Sequence, residues 1–101
     1  MSKEKSIPQH LASIYKMLRC TFPHGLTRES PDYLPLLALL YLEMSDRNLA
    51  EVISLCFYID RYGVMNDIYE TQTQSPSFLQ DISRIRQKLI PYGFDKWLEE
   101  D

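Results

Sequence analysis

The apolar positions divide the chain into segments of helical spacing, with one exception. At residues 32–42 the run DYLPLLALLYL consists of Tyr, Leu and Ala apart from Asp32 and Pro35. Apolar and polar residues do not alternate there, so it is not a half-exposed strand. Leu, Ala and Tyr without Val or Ile favour helix over strand. A helix that is apolar on every side has to be enclosed by other elements. The run is also shorter than the about 20 apolar residues that a bilayer crossing takes. It predicts a central helix at about 33–43, wrapped by the rest of the chain.

The flanking segments read as amphipathic helices. Ser6-Ile7-Pro8 has the form of a helix start, a capping serine with a proline in the first turn. Leu11, Ile14, Tyr15 and Leu18 then fall at i, i+3, i+4 and i+7, and this first helix is expected to end around Cys20 or Thr21. Residues 21–30, TFPHGLTRES, predict a loop, with Phe22 and Leu26 tucked onto the core. Ser30-Pro31 repeats the start pattern. Pro35 is tolerated near a helix start, where its missing amide is barely needed. Either Asp32 caps a helix that begins at Tyr33, or a single turn at 31–34 precedes the main helix.

Ser45 and Asp46 open a third helix, whose stripe is Leu49, Val52, Ile53, Cys56 and Ile59 and whose expected end is Arg61-Tyr62-Gly63. Residues 64–74 predict a short fourth helix with Met65, Ile68, Tyr69 and Thr73 on one face. Ser75-Pro76-Ser77 begins a fifth, running to about Ile90, with Phe78, Leu79, Ile82, Ile85, Leu89 and Ile90 apolar. Pro91 and Gly93 close it, and Phe94, Trp97 and Leu98 are left to dock the end of the chain. The fold class is therefore all-α: a compact bundle of four to six short helices around a central apolar one. It forms a single domain over 1–101, with a flexible tail at 1–5 and an acidic one at 98–101.

Several of these stretches form a recurring signature. Leu18-Arg19, Phe22-Pro23-His24-Gly25-Leu26 and Asp32-Tyr33-Leu34-Pro35-Leu36-Leu37 resemble the small actinobacterial domain of unknown function numbered 3349. Ser45-Asp46, Asp67-Ile68, Ser75-Pro76, Asp81-Ile82-Ser83-Arg84-Ile85 and Tyr92-Gly93-Phe94 fit the same pattern over roughly residues 11–95. Phe94 departs from it, since the family usually has tryptophan after the late glycine. The resemblance implies an all-helical fold. It implies no enzyme activity and supplies no catalytic residues.

Composition narrows the function classes. An apolar fraction of 45% and a charged fraction of 25% are ordinary for a globular domain. The net charge of −3 provides no general attraction to nucleic acid or to an anionic membrane. The first residues, MSKEKS, lack the apolar stretch of a signal peptide. Cys20 and Cys56 fall on expected apolar faces. Two cysteines do not make a disulfide scaffold, so reduced, buried thiols and a cytoplasmic location are expected.

Reactive constellations are sparse. His10, His24, Cys20 and Cys56 show neither CxxC nor HExxH spacing, so no metal site is expected. A Cys20–His24 thiolate pair would need the loop to fold back. Asp32 is read as a cap or loop anchor rather than a base. Arg84, Arg86 and Lys88, with Gln80 and Gln87, form a basic cluster on the fifth helix. Arg84 and Lys88 share a face, Arg86 points elsewhere, and Asp81 is placed to pair with Arg84.

Seven tyrosines, four phenylalanines and one tryptophan exceed what the helix stripes require. Phe57, Tyr58, Tyr62, Tyr69, Tyr92 and Trp97 are the candidate partner surface, because such side chains offer an apolar body with a polar end. The expected function is a non-catalytic protein–protein interaction module. Its partner is another protein or a second copy, with no cofactor, metal or membrane. The alternative is a small nucleic-acid-binding domain using Arg84, Arg86 and Lys88.

Overall fold

Each segment with helical spacing folds as a helix in the computed structural model, which describes residues 7–74 and 79–99. The six α-helices are α1 (Ala12–Thr21), α2 (Tyr33–Tyr41), α3 (Asp46–Phe57), α4 (Arg61–Gln74), α5 (Leu79–Leu89) and α6 (Phe94–Glu99). A 3-10 turn at Gln9–Leu11 leads into α1, and another at Ile90–Tyr92 joins α5 to α6. No strand occurs among the described residues. The all-α class and the number of helices match the expectation. The starts expected at Ser6 and at Ser75-Pro76-Ser77, together with Phe78, the 1–5 tail and residues 100–101, lie outside the described residues, as does the side chain of Leu79.

The central helix is enclosed as its composition requires. Tyr33, Pro35, Leu36, Leu37, Ala38, Leu39 and Leu40 are all buried, and α2 packs against α3, α4 and α5. Only its far end emerges, where Tyr41 and Leu42 reach the surface. Pro35 is the third residue of the helix, where no intrahelical amide bond is lost. The first such bond runs from the Leu36 amide to the Asp32 carbonyl, 3.0 Å. The helix therefore begins at Tyr33, as in the first alternative, but a turn precedes it and the Asp32 side chain does not cap it.

α1 and α5 contribute amphipathic faces. Ile14, Met17 and Leu18 point inward from α1, and Ile85 and Leu89 from α5. Phe22 and Leu26 are buried in the loop after α1, as expected. Phe22 meets Phe57 edge-on at 6.0 Å between ring centroids. Phe94 is fully buried, with Trp97 and Leu98 packed partly against the core.

The α3–α4 junction differs from the sequence reading. α3 is capped by Ser45, whose hydroxyl accepts the Asn48 amide at 3.1 Å, but it ends at Phe57 rather than at Gly63. Tyr58 takes the left-handed conformation, φ 60°, that was assigned to the glycine. Asp60 then starts α4 by accepting the Gly63 amide on Oδ2 at 2.9 Å. Gly63 lies inside α4, and a Cβ there would come within 3.3 Å of Arg28 Nη1. The glycine allows this close approach and does not form the exit turn.

The inward face of α4 is also rotated from the predicted one. Val64, Asp67, Ile68 and Thr71 are buried, whereas Tyr69 is half exposed and Thr73 is at the surface. A carboxylate and a hydroxyl on the buried stripe disguised it. Thr71 donates to the Ile68 carbonyl at 2.6 Å.

Truncation should separate the enclosed turns of α2 from its exposed end. Leu36→Ala or Leu40→Ala should cost about 2–5 kcal/mol in urea unfolding. Leu42→Ala, at a 71% exposed position, should stay within about 0.5 kcal/mol.

Candidate functional site

Two adjacent residues at the start of α2, Asp32 and Tyr33, gather charged side chains from α4, α5 and the preceding loop. Asp32 was expected to accept helix amides. Its side chain makes no capping bond; it receives Arg84 Nη1 on Oδ1 at 2.6 Å and Lys88 Nζ on Oδ2 at 2.9 Å. The helix start is served by a turn instead, the Tyr33 amide donating to the Ser30 carbonyl at 3.1 Å. Burial pushes the Asp32 carboxyl up, but hydrogen bonds and charge from Lys88 and Arg84 outweigh it and leave the group below its ordinary value.

Tyr33 makes the second junction. Its hydroxyl donates to Asp67 Oδ2 on α4 at 2.7 Å. Arg28, from the loop, grips the same carboxylate with Nε and Nη2, both at 2.8 Å. Burial first, then the hydrogen bond and charge of Asp67, raise the Tyr33 phenol well above its usual value. Among the described residues no buried side-chain nitrogen or oxygen lacks a partner.

These junctions engage the basic cluster. Arg84 and Lys88 share Asp32, and Arg84 also reaches Asp81 at 3.3 Å, the pairing that their spacing predicted. Arg86 lies elsewhere, 5.4 Å from the centre of the Phe94 ring. Lys88 lies 5.1 Å from the Phe22 ring.

The six candidate aromatics do not form one patch. Phe57 is buried and belongs to the core, because the Phe22 ring covers it. Tyr58, Tyr62, Tyr69 and Tyr92 are exposed, and Trp97 is half-buried. Tyr62, Met65 and Tyr69 follow one another at helical spacing on α4, the two tyrosines exposed and Met65 partly buried against the core. Beside them a cleft of about 480 Å³ is lined by Arg47 and Ala50 of α3 with Arg61, Tyr62 and Met65 of α4. Tyr92 and Trp97 instead line a smaller cleft of about 250 Å³ with residues of α1.

The cysteines divide. Cys56 is buried, and burial, partly offset by the charge of Arg19, pushes its thiol up to about 12. Its Sγ lies 3.7 Å from the Tyr15 carbonyl. Arg19 Nη1 donates to the Cys56 carbonyl at 3.2 Å, which ties α1 to the end of α3. Cys20 is exposed rather than buried, because its position on α1 lies off the stripe of Ile14 and Leu18. His10 and His24 are at the surface. Among the described residues no three His, Cys, Asp or Glu side chains are grouped to hold a metal ion. Among the described residues no helix is long and apolar enough to cross a membrane.

Comparison with known protein families, with characterised proteins and with solved structures finds no match for this chain. The surface is therefore interpreted from its own geometry. Sequence reasoning missed Arg28, and Arg47 and Arg61 of the larger cleft. A signal existed for the first: Asp67 stands amid Val64, Ile68 and Thr71, and an acid on a helix's inward face needs a cationic partner. Nothing in the spacing marks Arg47 and Arg61 as neighbours.

The Asp67 junction should be strongly non-additive. Asp67→Ala leaves the Tyr33 hydroxyl buried without an acceptor, a loss of about 1–3 kcal/mol from that group alone. Adding Tyr33→Phe should recover part of it, and simple addition of the two costs in denaturant unfolding would contradict the geometry. The raised Tyr33 value also fixes a sign. Its contribution is complete below the unfolded tyrosine value of about 10 and is lost as pH rises beyond it. NMR should show the Tyr33 ring still protonated where an ordinary tyrosine ionises. The lowered Asp32 value acts at the opposite end. Its contribution is present above the unfolded value of about 3.9 and fades as pH falls through the folded one.

Proposed function

We propose that this chain is a protein–protein interaction module whose partner contact is the α3–α4 face. The observation that carries the reading is the cleft where Arg47 and Arg61 flank Tyr62 and Met65. Neither guanidinium pairs with a carboxylate among the described residues. Arginine and tyrosine beside an apolar floor are the side chains enriched where interfaces derive their energy. The occupant is an acidic segment of another protein, with an apolar anchor between carboxylates that meet Arg47 and Arg61.

The nucleic-acid alternative has less support. Arg84 and Lys88 already share Asp32, and Arg86 lies over Phe94, so phosphate binding would have to break internal pairs. What supports the family resemblance is that four of its motif residues, Asp32, Tyr33, Asp67 and Arg84, make the two junctions at the start of α2. The reading takes the protein to be a cytoplasmic member of that actinobacterial family.

A photo-crosslinking side chain placed at Tyr62 tests the proposal, with the same group at Tyr92 as comparator. The expected outcome is a discrete adduct with another protein from position 62 only, lost in Arg47→Glu/Arg61→Glu. A folded protein that yields no adduct at 62, or one that persists in the double variant, contradicts the assignment. An adduct with a second copy of the chain contradicts the acidic occupant.

A further inference from the structure

The second cleft lies on a different face, between α1 and the end of the chain. One wall is a single face of α1, where Ser13, Lys16 and Cys20 recur at i, i+3 and i+7. The other comes from the turn into α6 and supplies Tyr92, Lys96 and Trp97. Gly93 joins these halves with φ 103°, and the space where its Cβ would stand is open. The left-handed turn therefore sets Tyr92 and Trp97 along one cleft without filling it.

From these features we infer that the α1–α6 cleft is a binding site for a small aromatic anion. Lys16 and Lys96 line the cleft from opposite walls, and neither has an ion pair among the described residues. Two like charges lining one cleft repel each other, and an anion bound between them relieves that repulsion. Elsewhere Arg28, Arg84 and Lys88 meet carboxylates.

The aromatic part of the class follows from Tyr92 and Trp97, the two aromatic residues that line the cleft. The volume of about 250 Å³ lies just below the range of about 300–1,000 Å³ usual for drug-sized ligands. That limits the occupant to one or two rings. Its ring lies against Trp97 and Tyr92, and its carboxylate or phosphate lies between the two ammonium groups, within reach of the Ser13 hydroxyl.

Two reporters are already in place. Trp97 is the single tryptophan of the chain, and Cys20 is the exposed one of its two cysteines. Benzoate, phenylacetate and phenyl phosphate would be titrated against the full chain, with phenylacetamide as the neutral comparator. The expected result is a saturable change in Trp97 emission with at least one of the anions. The same anion should slow Cys20 alkylation by iodoacetamide several-fold, while phenylacetamide does neither. In Lys16→Gln/Lys96→Gln, affinity should fall about tenfold or more with the melting temperature unchanged. Lys16→Arg/Lys96→Arg should retain binding. No saturable response to any of the three anions, an equal response to phenylacetamide, or affinity unaffected by the glutamine pair would each overturn the assignment.

Discussion

A helix buried on every side leaves its polar neighbours at the N-terminus without water, and they have to be satisfied by other parts of the chain. That constraint governs this protein. Asp32 and Tyr33 stand side by side where α2 enters the core, and they turn in different directions. Asp32 holds α5 through Arg84 and Lys88. Tyr33 holds α4 through Asp67, which in turn fixes Arg28 of the preceding loop. Two consecutive residues thus orient two of the three helices that surround α2. The apolar contacts supply most of the favourable energy, and the polar contacts select the arrangement in which both carboxylates are paired.

The same junctions divide the cations into paired and unpaired ones. Those that meet Asp32 and Asp67 lie along α5 and the α1–α2 loop. The cations in the two clefts, Arg47 and Arg61 on one face and Lys16 and Lys96 on another, have no ion pair among the described residues. Each pair lies beside tyrosine or tryptophan. The molecule therefore presents two small basic, aromatic surfaces on an acidic body, and these are the surfaces to which we assign binding.

Helix positions were legible because the buried stripes of α1, α3 and α5 are apolar throughout, from Ile14 and Leu18 to Ile85 and Leu89, with no charged residue among them. The enclosed nature of α2 was legible for the same reason, since its composition left no solvent face. α4 was not, because Asp67 and Thr71 occupy inward positions and the apolar pattern shifted to Met65 and Tyr69. The end of α3 was misplaced because Tyr58, a bulky side chain, adopts a backbone conformation normally assigned to glycine. Clefts are tertiary objects, and the sequence carried no trace of which cations would share one. The aromatic surplus was visible, but its separation into Phe57 in the core, Tyr62 and Tyr69 on α4, and Tyr92 with Trp97 near α1 depends on packing.

Native-state hydrogen exchange tests the central claim most directly. If α2 is the enclosed element, the amides of Leu37, Leu39 and Leu40 exchange only through global unfolding. Their opening free energies then equal the stability from denaturant unfolding and fall with the same slope in denaturant. Exchange of these amides through a smaller opening, faster than the amides of α3 and insensitive to denaturant, would contradict the account.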